Sequence, residues 1–114
     1  VFAGDNDRPD RLRAALKGAD LLVHEATYTE AVAAEVGVAT RHSTAAQVAR
    51  TAAACGVPHL ILTHFSARFS GAGGHDVEEV RVEAASAYDG GLVLAHDGAQ
   101  FDLGRDGVLC RLDQ

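Results

Sequence analysis

The sequence predicts an α/β fold built on a largely parallel sheet, and three observations carry that expectation. Short apolar runs (Leu21 to Val23, Leu60 to Thr63, Leu92 to Ala95) alternate with segments of helical periodicity, the pattern of βαβ units. Two of these runs lead straight into chemistry-bearing side chains, His24-Glu25 and His64, as expected where parallel strands deliver functional groups at their carboxyl ends. The chain then closes on two short strand patterns around Gly104-Arg105-Asp106-Gly107, which read as a hairpin. With 47% hydrophobic and 23% charged residues, the 114-residue chain has the material for a packed core rather than for disorder.

Taken in order, Val1 to Ala3 is the tail of a strand, and Gly4 allows a tight turn that projects Asp5 from its end. Pro9 suits the first turn of a helix, Leu12, Ala15 and Leu16 share one of its faces, and Gly18 can stop it. The strand Leu21 to Val23 runs into His24-Glu25-Ala26-Thr27. A helix over Thr29 to Val36 ends at Gly37. Thr44 with Gln47 three residues later forms a capping-box pattern, so a helix starts there and reaches Gly56, leaving His42 just before its N-terminus. Gly56-Val57-Pro58 leads into the buried strand that ends in His64. On this stretch alone, a histidine placed for chemistry and one that caps a loop are equally compatible. Residues 70–75 read as a glycine-rich flexible loop, Asp76 with Glu79 as the cap of a helix reaching Tyr88, and His96-Asp97-Gly98 as a turn before the hairpin strands Ala99 to Leu103 and Val108 to Leu112.

The formal net charge of −6 offers no basic face, so binding a polyanion would require a metal or a local arginine cluster. Cys55 and Cys110 match no metal, redox or disulfide spacing, which points to a reducing, cytoplasmic setting. No apolar run approaches the length of a membrane span, and no membrane partner is expected. The chain opens at Val1 already inside a strand pattern and without an initiator methionine, as expected of a fragment. Three strand ends supply Asp5, His24 with Glu25, and His64, with His42 at a helix entrance between them: carboxylates and imidazoles converging on one rim are the ligand set of zinc or a similar divalent metal.

The pieces Ala3-Gly4-Asp5-Asn6, His24-Glu25-Ala26-Thr27, His42-Ser43-Thr44 and Leu62-Thr63-His64-Phe65-Ser66-Ala67-Arg68-Phe69 resemble the successive motifs of the ribonuclease Z family, in the same order and at similar spacings. Members of that family are metallo-β-lactamase-fold phosphodiesterases that cut the 3′ trailer from precursor tRNA. The resemblance implies that residues 1–114 are the C-terminal half of a metallo-β-lactamase αββα sandwich. It further implies that Asp5 bridges two zinc ions, that His64 is a terminal ligand of one, and that Glu25 and His42 assist proton transfer to the leaving oxygen. A homodimer acting on precursor tRNA is the implied complete enzyme, and the piece alone is expected to be inactive. The family's His-x-His-x-Asp-His run and its tRNA-gripping arm have no counterpart in these residues, and Asn6 stands where the family usually has threonine.

A related phosphodiesterase of small substrates, and a non-catalytic half-domain that serves as a folding or dimerisation partner, are the alternative functions. The remaining histidines are expected to be structural: His24 as a hydrogen-bonding residue, His59 at a strand entry, His75 on a mobile loop and His96 in a turn. Arg68 reads equally as a phosphate contact and as a solvated or ion-paired side chain.

Overall fold

Each apolar run expected as a strand forms one, because its leucine, isoleucine and valine side chains are bounded by residues that turn the chain. The structure, a computed structural model, describes residues 1–37, 41–71 and 74–112. Strands β1 (Leu21–Glu25), β2 (His59–Thr63) and β3 (Gly91–Leu94) lie side by side in that order, and both pairings are parallel. The register places Leu22 beside Leu60 and Leu60 beside Leu92, with His24 beside Leu62. The expected strand tail at the start of the chain is present as an isolated parallel bridge between Phe2 and Val23. There the Ala3 N–H donates to the Val23 carbonyl at 2.9 Å.

The first three helices follow their punctuation residues. A single 3₁₀ turn opens on Pro9 (Pro9–Leu12) and continues into α1 (Arg13–Leu16), after which Gly18 takes a φ of +74°. Helix α2 (Glu30–Val36) is capped by Thr29, whose hydroxyl accepts from the Val32 N–H at 3.3 Å. It stops at Gly37 with a φ of +107°, a conformation that strains any residue with a Cβ. Helix α3 (Ala45–Ala54) carries the full capping box: the Thr44 hydroxyl accepts from the Gln47 N–H, and the Gln47 side chain accepts from the Thr44 N–H.

Helix α4 (Glu78–Ala85) stops short of the expected end at Tyr88. The Ser86 hydroxyl bonds back to the Val82 carbonyl at 2.8 Å, and Tyr88 turns into the core, donating its O–H to the Val57 carbonyl at 2.7 Å. An aromatic anchor with a satisfied hydroxyl outweighs one more helical turn. The Asp76 and Glu79 pairing is nonetheless real, with the Asp76 N–H donating to the Glu79 carboxylate at 2.6 Å. Of the expected glycine-rich loop, residues 72–73 lie outside the described residues. On either side of them Ser70 bridges to Asp76, and His75 is tied to Glu79 at 3.2 Å rather than free as expected. The hairpin forms from β4 (Phe101–Leu103) and β5 (Leu109–Arg111), and the His59 ring holds it to β2 by donating to the Gly107 carbonyl at 2.9 Å. Both cysteines are free, Cys55 at the end of α3 and Cys110 in β5.

Side chains alternate across a strand, so the two faces of the sheet have different neighbours. On one face Leu22, Leu60 and Leu62 are fully buried in a cluster with Leu16, Val48, Ala49 and Ala52 of the early helices and Val80 and Ala84 of α4. Each such leucine contributes about 1.5–3 kcal/mol, and the alanines of α3 let the helix lie close to the strands. Val23, Ile61 and Val93 form a row on the other face, extended at the sheet edge by Phe2, which is 84% exposed. This attachment of the helices fixes where the strands end, and the residues beyond those ends form the site.

Candidate metal and proton-transfer site

Register brings the first two site residues together. Glu25, the last residue of β1, pairs with Thr63, the last residue of β2, so His64 emerges beside Glu25 on the same rim. His64 has a φ of +60°, a left-handed backbone that costs a residue with a Cβ about 1–3 kcal/mol. Hydrogen bonds on both sides hold it there. The Ala26 N–H donates to the Thr63 carbonyl at 2.8 Å, and the Ser66 N–H donates to the Thr27 carbonyl at 3.0 Å. His42 arrives from the loop before α3, which is pinned by the bridge between Tyr28 and Thr44 and by the Ala45 N–H donating to the Tyr28 carbonyl at 2.9 Å. Asp5 follows the edge segment at Phe2.

The four residues expected to act together are brought together. One ligand atom from each of Asp5, Glu25, His42 and His64 lies within 4.8 Å of all the others. The His42 and His64 rings have centroids 5.3 Å apart, and the Tyr28 ring meets His42 edge-on at 6.2 Å.

Within this cluster Glu25 is the most enclosed, at 2% exposure. A buried carboxylate is costly unless its oxygens are hydrogen-bonded, and here both are. Oε1 accepts from the Ser43 N–H, while Oε2 accepts from His42 Nδ1 and from the Thr27 hydroxyl, the latter at 3.0 Å. A carboxylate on Nδ1 puts the ring proton there and leaves Nε2 of His42 as the exchangeable nitrogen. Asp5 is exposed, and its carboxylate has no hydrogen-bond or ion-pair partner among the described residues. The His64 side chain is 54% exposed, with Nδ1 at 2.9 Å from the Thr27 hydroxyl. Asp5 and His64 thus retain oxygen and nitrogen lone pairs for a divalent cation such as zinc, whereas those of Glu25 are taken. The residues present fit such an ion, as part of a ligand shell.

His24 behaves as the structural residue expected. It is fully buried, its Nδ1–H donates to the Glu25 carbonyl at 2.7 Å, and its Nε2 accepts from the Asn6 amide at 3.2 Å. Burial holds its pKa below the ordinary histidine value. Asn6 and Ser43 tie the loops together, because the Ser43 hydroxyl donates to the Asn6 carbonyl. Sequence reasoning alone misses Thr27, Ser43 and Asn6 as site-building residues. Thr27 carries one available signal, since two residues along an extended chain return to the same side as Glu25.

Outside the cluster, His96 sits in its turn, donating to the Asp97 carbonyl at 3.0 Å and accepting from the Arg111 guanidinium. Arg68 is exposed on a 3₁₀ turn (Ala67–Phe69) whose first N–H bonds are capped by Ser66. Two clefts flank the cluster. One of about 560 Å³ is lined by Asp5, Asn6, Asp7, Arg41 and His42, and the other, of about 850 Å³, runs from His64 past Phe65 and Ser66 to Arg81 and His96. Among the described residues no helix is long and apolar enough to cross a membrane.

Comparison with known proteins adds the lineage. No protein-family profile matches the chain. Ribonuclease Z from Pseudomonas putida is 50% identical over 111 residues, covering 96% of this chain and 35% of the relative. Ribonuclease Z from Marinobacter nauticus is 44% identical over 115 residues, covering 99% and 36%. The Halobacterium salinarum ribonuclease Z is 38% identical over 103 residues, covering 90% and 32%. The chain therefore spans about a third of the length of the curated relatives it matches. Among solved structures, the metallo-β-lactamase fold protein YhfI from Bacillus subtilis superposes with a TM-score of 0.72 at 23% identity, over 86% of this chain and 36% of that one. That likeness concerns the fold alone. Sequence and fold agree: over nearly its whole length this chain is similar to about a third of each of these ribonuclease Z proteins, and it folds as a segment of a metallo-β-lactamase fold.

Proposed function

We propose that residues 1–114 are the C-terminal portion of a metal-dependent hydrolase domain, and that the complete protein is a cytoplasmic, homodimeric, zinc-dependent endonuclease that removes the 3′ trailer of precursor tRNA. The observation that carries this reading is the partition inside one 4.8 Å cluster: buried Glu25 hydrogen-bonded to half-buried His42, next to the solvent-facing donors of Asp5 and His64. The similarity to ribonuclease Z supports the substrate class, and Phe2, paired with Val23 and 84% exposed, offers an apolar edge on which the rest of the domain would pack.

In this reading Asp5 and His64 would hold zinc as part of its ligand shell. Bound zinc supplies Lewis acidity to the phosphodiester and activates water near neutral pH. Glu25 orients the ring by holding its Nδ1–H; in its imidazolium form His42 gives the proton on Nε2 to the departing ribose oxygen and is left neutral with its Nδ1 proton still on Glu25. Ser43 fixes the second oxygen of Glu25 and keeps the pair from rotating. An alkoxide is a poor leaving group, and the pair is placed to relieve that difficulty.

The test is to incubate the purified complete protein with precursor tRNA and zinc and map the product end. Endonucleolytic cleavage leaving a 3′-hydroxyl on the tRNA body is expected. Hydrolysis of small phosphodiesters with precursor tRNA left intact would favour the small-substrate phosphodiesterase, and hydrolysis of neither would favour the non-catalytic half-domain.

A further inference from the structure

We propose that Thr27 is a positioning residue whose single hydroxyl sets the tautomer of His64 and couples it to Glu25. Thr27 is buried, at 5% exposure, and its Oγ1 lies 3.0 Å from Glu25 Oε2, 2.9 Å from His64 Nδ1 and 2.9 Å from the His64 carbonyl. A hydroxyl has one proton to give and lone pairs to receive. Two oxygen acceptors compete for that proton, and the ionised carboxylate is the stronger. Toward the imidazole the hydroxyl can then only accept, so Nδ1 of His64 carries the ring proton. The lone pair of His64 resides on Nε2, which no described residue claims, and that is the nitrogen left for a cation.

The chain of donors runs from His64 Nδ1–H to Thr27 Oγ1, and from the Thr27 O–H to Glu25 Oε2, where His42 Nδ1–H also ends. One carboxylate thereby orients both imidazoles, His42 directly and His64 through Thr27. The arrangement also accounts for the tolerated left-handed backbone at His64. The side chain of that residue is held by Thr27 Oγ1, and the Thr27 carbonyl accepts from the Ser66 N–H two residues further on. Valine at position 27 would keep the shape and remove this entire function, whereas serine would keep the hydroxyl and lose only a methyl group.

The inference rests on the reading of His64 as a metal ligand, and the experiment separates the two. In the complete protein, Thr27→Val and Thr27→Ser are compared with the unsubstituted protein by ring ¹⁵N NMR of His64 in the metal-free state and by zinc affinity in competition with a chromogenic chelator. The expected result is an Nδ1–H tautomer in the unsubstituted and serine proteins. Thr27→Val should shift to the Nε2–H form that a free imidazole prefers and bind zinc about 10- to 100-fold more weakly, the usual cost of losing a partner that orients a ligand. Thr27→Ser should recover most of that affinity. An unchanged tautomer and unchanged zinc affinity in Thr27→Val would overturn the role of the hydroxyl, as would equal losses in both variants. If the unsubstituted protein bound no zinc, the metal reading of His64 would fall, while the NMR comparison would still decide whether Thr27 sets the tautomer.

Discussion

Glu25 and His42 are drawn into the protein and bonded to it, whereas Asp5 and His64, on the same rim, face solvent with donor atoms to spare. The residue types are the same in the two pairs, one carboxylate and one histidine each. What differs is who has already claimed their lone pairs. A carboxylate that accepts from a backbone N–H, a hydroxyl and an imidazole has little left for a cation, and its electrostatic effect is spent on its neighbour. A carboxylate without such partners is available as a ligand. Metal-holding and proton-handling roles can therefore be divided between chemically equivalent residues by the local hydrogen bonding alone, and substitutions should separate the pairs.

The largest effect is expected at the open pair. In the complete protein Asp5→Ala or His64→Ala should abolish hydrolysis of every phosphodiester tested, activated or not, because each removes a donor on which all the chemistry depends. Rates on precursor tRNA and on bis(p-nitrophenyl) phosphate are the check, and a substrate-selective loss would break the comparison.

At the closed pair the loss should be selective. His42→Ala should slow precursor tRNA cleavage by about 10² to 10⁴, the usual worth of a general acid, and largely spare bis(p-nitrophenyl) phosphate, whose nitrophenolate leaves without a proton. Glu25→Gln should act in the same direction more mildly, since it disturbs the orientation of His42 without deleting it. The ratio of kcat on the two substrates reads this directly, and equal losses would indicate a packing role.

The smallest effect concerns His24, which borders the closed pair but serves only the scaffold. Burial lowers its pKa in the folded state below the unfolded value near 6.5, so the unfolded chain binds the extra proton first. Its contribution to stability is fully present above the unfolded pKa and is lost as pH falls from there toward the folded value. Urea unfolding of the complete protein at neutral and mildly acidic pH should show this slope, and His24→Gln should flatten it. A slope unchanged by the substitution would assign it to other groups.

Much of the fold and of the site is legible in the amino-acid sequence. Leu60 to Thr63 announces a buried strand feeding His64, and Thr44 with Gln47 announces the helix that places His42. The carboxylate and imidazole types at the strand ends, with the motif resemblance, point to Asp5, Glu25, His42 and His64 together. Thr27, by contrast, stands in the sequence only as a letter in a motif, because its role depends on a hydroxyl meeting a residue 37 positions later across parallel strands. Ser43 contributes through its backbone N–H, which every residue except proline possesses, so no side-chain pattern reveals it. The early end of α4 is hidden for a similar reason, since the pull of Tyr88 toward Val57 is tertiary. Local punctuation can be read from sequence, whereas pairings across strands require the register.

Zinc content tests the division of roles most directly. The complete protein carrying Asp5→Ala and the complete protein carrying His42→Ala are each loaded with zinc, desalted and analysed for bound metal per chain. Reduced zinc in Asp5→Ala alongside an unchanged content in His42→Ala is the expected result. Loss of zinc from His42→Ala would make His42 a ligand, and full zinc retention in Asp5→Ala would remove Asp5 from the metal site; either would contradict the account.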